Sequence, residues 1–330
     1  MQKSYRGACA GHRTGRLIAI VAAAATAACL SPVFASDYPT GPVEITVTFA
    51  PGGTPDILAR ALSVGLSADL KQPVVVVNRL GAGGAIGAAA VSRAKPDGYS
   101  LLFAPALVQS VAPVVQANAG YKPESLLPIC QTFETQMALV VKPDSPYKTV
   151  GDIVKAAQAS PGKISYGHAG TGSIPHLAMI ELASATKSEF NVIPYKGDAE
   201  VPAPILGGVI DFAPMTLSSV PRDAVRIVAI FANARNPAIP DVPTVKEQGF
   251  DVAPTSFGGL YAPAGLPNDI KARLEKACKF AAEQPGYLST AKNAALGAEL
   301  YTGADAFAAR LKKDIADKAV LLKTLGYPKQ

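Results

Sequence analysis

The chain has 330 residues, of which 49 % are apolar and 17 % charged, with 29 Gly, 28 Pro and no Trp. An average chain is about 25 % charged, so this one is too poor in charge for a disordered polyampholyte or a coiled coil. At this length two domains are the default. The formal charge of +6 is concentrated at one end: Lys3, Arg6, Arg13 and Arg16 lie in the first 35 residues, which hold no Asp or Glu. Removing those four from the 31 basic residues leaves 27 against 25 acidic ones. That balance lacks the concentrated cationic face a nucleic-acid binder needs, so no nucleic-acid partner is expected.

Residues 1–35 read as a signal peptide. A basic stretch ending at Arg16 leads into Leu17-Ile18-Ala19-Ile20-Val21, an alanine run and Leu30, 14 residues without a charge. That core is too short for the roughly 20 residues of a membrane span and has no amphipathic face; it stops at Pro32. Val33-Phe34-Ala35 puts small residues where a signal peptidase reads, which predicts cleavage after Ala35 and a periplasmic product. Lipoprotein processing at Cys29 is the weaker variant, because Thr26 stands where an apolar residue is usual. Cys9 and Cys29 leave with the leader. Cys130 and Cys278 remain, either as one disulfide or as two buried thiols. Neither belongs to a CxxC pair, so no metal or redox cofactor is expected.

Beyond the leader, strand and helix alternate. Val43 to Phe49 is a β-rich run that stops at Ala50-Pro51-Gly52-Gly53, and apolar positions 58, 61, 62 and 66 then follow at helical spacing. Val74 to Val77 is a continuous apolar run, the pattern of a strand covered on both faces. Gly81-Ala82-Gly83-Gly84 precedes a small-residue helix through Val91, and Tyr99 to Ala104 makes a third strand. This order predicts a parallel sheet with right-handed crossovers. A second unit starts near Met137 to Val141. It continues through a helix over 150–159, a strand over 164–166 and a helix over 174–184, then short strands at 191–193, 209–213 and 226–231. The chain crosses back at Ser256-Phe257-Gly258-Gly259-Leu260 and ends in amphipathic helices over 268–282 and 304–325.

Three glycine-rich loops sit between a strand and a helix: Pro51-Gly52-Gly53-Thr54, Gly81-Ala82-Gly83-Gly84, and Ala169-Gly170-Thr171-Gly172-Ser173. In open α/β sheets ligands bind beyond the carboxyl ends of strands, where such loops lie. A helix start offers unpaired N–H groups and partial positive charge, glycine lets the backbone come close, and the Thr171 and Ser173 hydroxyls add donors. A single loop of this kind is as often a plain turn. Three at equivalent positions point to an anion cleft that needs no arginine, and Arg60 and Arg79 read as structural or surface charges.

Val47-Thr48-Phe49-Ala50-Pro51-Gly52-Gly53-Thr54-Pro55-Asp56, with Ala59-Arg60 after it, resembles the opening motif of the Bug/TctC-type periplasmic receptors of tripartite tricarboxylate transporters. Asn78 to Gly84, Lys95-Pro96-Asp97-Gly98-Tyr99, Gly170-Thr171-Gly172-Ser173 with His176-Leu177, and Pro194-Tyr195-Lys196-Gly197 fall in the family's order. So do Gly208-Val209-Ile210-Asp211, Pro240-Asp241-Val242-Pro243-Thr244 and Ala262-Pro263-Ala264-Gly265. The resemblance implies an α/β fold of two lobes, a Venus flytrap of type II-like periplasmic binding proteins, each lobe a mainly parallel sheet flanked by helices. Lobe 1 would be 36–138 plus 256–330, lobe 2 139–255, with hinges near 138–141 and 255–260. It implies a non-enzymatic, monomeric receptor without cofactor, which binds a small organic carboxylate and delivers it to membrane permease subunits. Gly52, Gly53 and Thr54 would pinch the carboxylate against Ala169, Gly170, Thr171 and Ser173, partly through water. Asp56 and Asp211 match acidic motif positions but could equally order their own loops. Phe49, Gln109, Tyr195 and Phe257 are candidates for the specificity shell, with Phe49 and Phe257 also fitting a core role. The chain departs from the family pattern at Leu80, where proline is usual, and at Ala112, where Asn is.

Two other functions can be weighed. Gly81-Ala82-Gly83-Gly84-Ala85-Ile86-Gly87 after a strand suggests a dinucleotide site, but its spacing is GxGxxxG and no acid stands about 20 residues on. An exported α/β hydrolytic enzyme using the Ser173 region with His168 or His176 is the alternative. It lacks a GxSxG elbow, and Ser173 at a helix start suits an N-cap.

Overall fold

The computed structural model describes residues 38–330 except 117, 171, 196, 253, 255, 297–299, 325 and 327–330. The leader with its cleavage after Ala35, and the candidate Thr171, lie outside the described residues. The first part of the chain gives β1 (Val43–Val47), α1 (Thr54–Leu70), β2 (Val74–Asn78), α2 (Ala85–Ser92) and β3 (Ser100–Pro105). Two single-turn helices follow, α3 (Leu107–Ser110) and α4 (Ala112–Val115), then β4 (Leu126–Thr135). The middle holds β5 (Met137–Val141), α5 (Val150–Ala159), β6 (Ser165–His168), α6 (Ile174–Thr186) and β7 (Asn191–Pro194), then α7 (Pro202–Leu206), β8 (Phe212–Thr216) and β9 (Arg226–Phe231). The last part is β10 (Ser256–Pro263), α8 (Asn268–Ala282), α9 (Pro285–Asn293), β11 (Thr302–Gly303) and α10 (Ala304–Thr324).

Two sheets result. One is six-stranded in the order β11-β4-β10-β3-β1-β2, the other five-stranded in the order β7-β6-β8-β5-β9. The alternating strand–loop–helix stretches do pair in parallel: β1 with β2 and β3, and β6 with β7 and β8. The pairing as a whole is nonetheless mixed rather than mainly parallel, since β10 runs antiparallel to β3 and β4, and β5 antiparallel to β8 and β9. These reversed strands include the ones that carry the chain between sheets. β4 leaves the first sheet, only Gln136 separates it from β5 in the second, and β10 brings the chain back. The crossings are therefore Gln136 and the segment before Ser256, whereas 138–141 and 256–260 lie inside strands.

The α1 spacing survives intact: Leu58, Leu62 and Leu66 are fully buried against β1, with Phe103 and Phe133 in the same core. A second core gathers Tyr166, Phe212 and Phe231 under α5 and α6. The Val74–Val77 run differs from expectation. β2 is an edge strand and Val75 is 50 % exposed, so unbroken apolarity here does not mean cover on both faces. Of the two cysteine alternatives the fold contains the disulfide: Cys130 on β4 is bonded to Cys278 on α8, with α-carbons 6.6 Å apart inside the first core. No helix among the described residues is long and apolar enough to cross a membrane.

Candidate functional site

The first loop leaves the carboxyl end of β1 and starts α1 without a side-chain cap: Gly53 is the N-cap, in extended conformation, and Pro55 sits in the first turn. Gly52 has φ +79°, a left-handed backbone that glycine accepts without penalty. What holds this turn is Asp56, which is buried. Its carboxylate accepts the Gly52 N–H at 2.9 Å, Arg60 Nε at 3.0 Å, Arg60 Nη2 at 2.9 Å and Asn78 Nδ2 at 2.8 Å. Asn78 Nδ2 also donates to the carbonyl of the half-buried Phe49 at 3.0 Å, joining the ends of β1 and β2. Burial pushes the Asp56 carboxyl up, but hydrogen bonds from Arg60, Gly52 and Asn78 outweigh it and hold the group below its ordinary range. With four donors already in place, Asp56 serves the loop-ordering alternative, and Arg60 is structural.

The third loop leaves β6 at His168 and enters α6 at Ser173. Ser173 is the N-cap, its hydroxyl accepting the His176 N–H at 3.4 Å. Gly170 and Gly172 both take left-handed backbones, φ +114° and +78°. Each of their amides is held by an imidazole: Gly170 N–H donates to His168 Nδ1 and Gly172 N–H to His176 Nδ1, both at 3.1 Å. The Ser173 N–H returns to the Gly170 carbonyl at 3.1 Å. Because His176 Nδ1 already accepts the Gly172 amide, that nitrogen is not placed to take a proton from the Ser173 hydroxyl.

The two loops belong to facing edges. β6 and β8 are parallel, so the 3-10 turn Leu217–Ser219 after β8 lies on the same carboxyl edge as Ala169, Gly170, Gly172 and Ser173. Ser218 Oγ of that turn is 3.1 Å from Thr54 Oγ1 at the start of α1. A Cβ added to Gly172 would stand 3.7 Å from Val111 and Val115, beyond the carboxyl end of β3. Gly52, Gly53, Gly170 and Gly172 use their amides internally. Among the described residues, the Thr54, Ala169 and Ile174 amides donate to no protein acceptor. Neutral donors open to an anion on these edges thus include these three amides, the Ser173 hydroxyl, and the hydroxyl of whichever of Thr54 and Ser218 accepts the other's hydrogen. The glycine amides expected to grip a ligand thus each have an acceptor within the protein.

Other expected residues are placed elsewhere. Gln109 is buried and its Nε2 donates to the Leu126 carbonyl at 2.9 Å, so it braces α3. Asp211 accepts the Ser165 N–H and Oγ–H, both at 2.8 Å, where β6 and β8 begin. That is the amino edge, about 13 Å along the strand from the third loop at ~3.3 Å per residue. Phe257 is a core aromatic, edge-on to Phe307 and with the Arg310 guanidinium 4.0 Å above its ring. Tyr195 donates its amide to the His168 carbonyl at 2.8 Å, and its ring packs over Gly167. Ser218 and Asn78 are not among the residues the sequence proposes for the site, and His168 is proposed there only as a base for the hydrolase. Asn78 closes a strand and His168 precedes a glycine loop, signals visible in sequence, whereas Ser218 carries none. Among the described residues no three His, Cys, Asp or Glu side chains form a metal-binding group.

Residues 58–326 match a family model described as the tripartite tricarboxylate transporter family receptor. The protein BugT of Bordetella pertussis is 33 % identical over 273 residues, 79 % of this chain and 82 % of BugT. The solved periplasmic binding protein BugD is 31 % identical, with a TM-score of 0.73 over 89 % of this chain and 100 % of BugD. An R. palustris protein solved with adipate is 24 % identical, with a TM-score of 0.76 over 88 % of this chain and 99 % of that one, and shows the same fold.

Proposed function

The chain belongs to the tripartite tricarboxylate transporter receptor family, and from that premise we propose that it is a periplasmic receptor that closes on one small carboxylate-bearing metabolite and hands it to the permease of a tripartite tricarboxylate-type transporter. The observation that supports this reading is the meeting of Thr54 and Ser218, which joins the first glycine loop to the sheet edge that also carries the third. In this reading the carboxylate takes the Thr54, Ala169 and Ile174 amides together with the Ser173 hydroxyl and the one hydroxyl of the Thr54–Ser218 pair whose hydrogen is free. Thr171 is a further donor by its place in the sequence. Gly52, Gly53 and Gly170 give the loops their shape, Asp56 tethers the first loop, and Phe49 lines its base. Three charge-assisted bonds at ~1.5–3 kcal/mol each total about 5–9 kcal/mol before ordering costs, against about −8 kcal/mol for micromolar binding. Lobe 1 is 36–136 with 256–330 and lobe 2 is 137–255, the boundary moving from 138 to Gln136 because Met137 and Ala138 pair within the second sheet. Closure is a hinge motion at Gln136 and before Ser256. The receptor works as a monomer after removal of residues 1–35, without cofactor or nucleic acid.

The test is calorimetric titration of the purified chain with adipate, citrate, glutamate and benzoate, one acid of each class. At least one is expected to bind one-to-one and to raise the melting temperature, since saturation at about 100 times Kd adds ~2.7 kcal/mol. Absence of any binding, together with ester hydrolysis that disappears in Ser173→Ala, would replace the receptor by the hydrolase.

A further inference from the structure

The third loop is bracketed by two imidazoles whose arrangement the receptor reading leaves unused. His168 is the last residue of β6 and His176 lies in the first turn of α6, 1 % and 8 % exposed. Their rings stack, 4.2 Å between centroids and 13° between planes. Each receives a loop amide on Nδ1 at 3.1 Å, Gly170 on His168 and Gly172 on His176. An Nδ1 that accepts an N–H carries no proton, so each neutral ring must hold its hydrogen on Nε2. We propose that His168 and His176 are a positioning pair for the ligand loop: two stacked, neutral, Nε2-protonated rings that pin Gly170 and Gly172 in left-handed conformations and thereby aim the Ala169 and Ile174 amides at the bound carboxylate. This rests on the receptor reading only for the identity of what the loop holds.

The surroundings suit neutral rings. Burial pushes His168 down to about 4, and His176 beside it pushes the same way. Burial also lowers His176. The Tyr166 ring lies 5.9 Å from His168 and its phenol is raised by burial, so it stays uncharged. Tyr195 enters from β7 through its amide. Val111 and Val115 face the loop from α3–α4 without charge. Farther along α6, Glu181 interacts with Lys318, Asp314 and Asp317 of α10, and none of these acts on either ring. Protonation of either Nδ1 would set a donor against a donor and release a loop amide. Two charged rings at this stacking distance would repel as well.

Long-range 1H–15N spectra of the ligand-free protein test the pair directly. At pH 7 both rings should carry hydrogen on Nε2 and none on Nδ1, with His168 titrating below about pH 5. An Nδ1–H tautomer in either ring, or a His168 midpoint near 6.5, overturns the proposal. The second arm measures Kd at pH 7 for adipate, citrate, glutamate and benzoate. His176→Leu and His168→Leu, which fill the space but accept nothing, should weaken binding at least tenfold. His176→Asn and His168→Asn, which return an acceptor oxygen near the Nδ1 position, should recover most of that loss. Equal loss in Leu and Asn variants that fold would reduce the pair to packing. If none of the four acids binds the wild-type chain, the receptor reading fails while the spectra still decide the tautomers.

Discussion

Asp56→Ala is the sharpest perturbation the site allows. Its carboxylate is the common acceptor for the Gly52 amide, Asn78 Nδ2 and the Arg60 guanidinium. The two Arg60 contacts contribute little net stability, because the Arg60 side chain is 51 % exposed and water replaces the lost partner. The exposed Gly52 amide regains water, so the main cost is the half-buried Asn78 amide, ~1–3 kcal/mol when left unsatisfied. The expected loss is therefore about 1–3 kcal/mol, or roughly 2–5 °C in Tm for a chain of this size. Urea and thermal unfolding of the wild type and Asp56→Ala measure it. Asn78→Ala and the double variant complete a cycle in which the two single losses should overlap by ~1 kcal/mol or more. The sign with pH is fixed by the lowered carboxyl. The Asp56 contribution is fully present above its ordinary value of 3.8 and lost as pH falls through its lower folded value. A shift below 2 °C with additive energies would refute the tether, and with it the account of how a capless glycine loop keeps its shape.

Thr54→Val keeps the volume and removes the hydroxyl facing Ser218, so calorimetry should show Kd weakened about 3–10-fold with Tm nearly unchanged, one net hydrogen bond being worth ~0.5–1.5 kcal/mol. Asp211→Ala removes the two Ser165 bonds at the amino edge, and should lower stability by ~1–3 kcal/mol while leaving Kd within about twofold. Cys130→Ala with Cys278→Ala opens a cross-link spanning 148 residues. Chain entropy puts its removal at up to about 5 kcal/mol in denaturant titration, and the same drop should follow reduction of the wild type.

The sequence was most legible where short-range chemistry decides the outcome. The apolar spacing through Leu58, Leu62 and Leu66 reports a helix face, and each glycine loop announces a strand end beside a helix start. In the third loop, Ser173 before Ile174-Pro175 is an N-cap by residue type alone. β4 was missed because Pro128 within Leu126–Thr135 speaks against a central strand, yet β10 and β11 pair with it on both sides. The α3–α4 turns escaped notice for a similar reason: their stability comes from what they pack on, including the Gln109 bond to Leu126.

Composition, periodicity and loop chemistry determined by themselves that this chain makes an α/β fold with anion-friendly loops at strand ends. Which donors remain open was decided only in three dimensions. A glycine amide looks available in sequence, but Gly52 is held by Asp56, and Gly170 and Gly172 by His168 and His176. The meeting of Thr54 with Ser218, 164 residues away, likewise has no local trace, because facing edges arise from how sheets cross and stack, a long-range packing outcome that neighbouring residues do not encode.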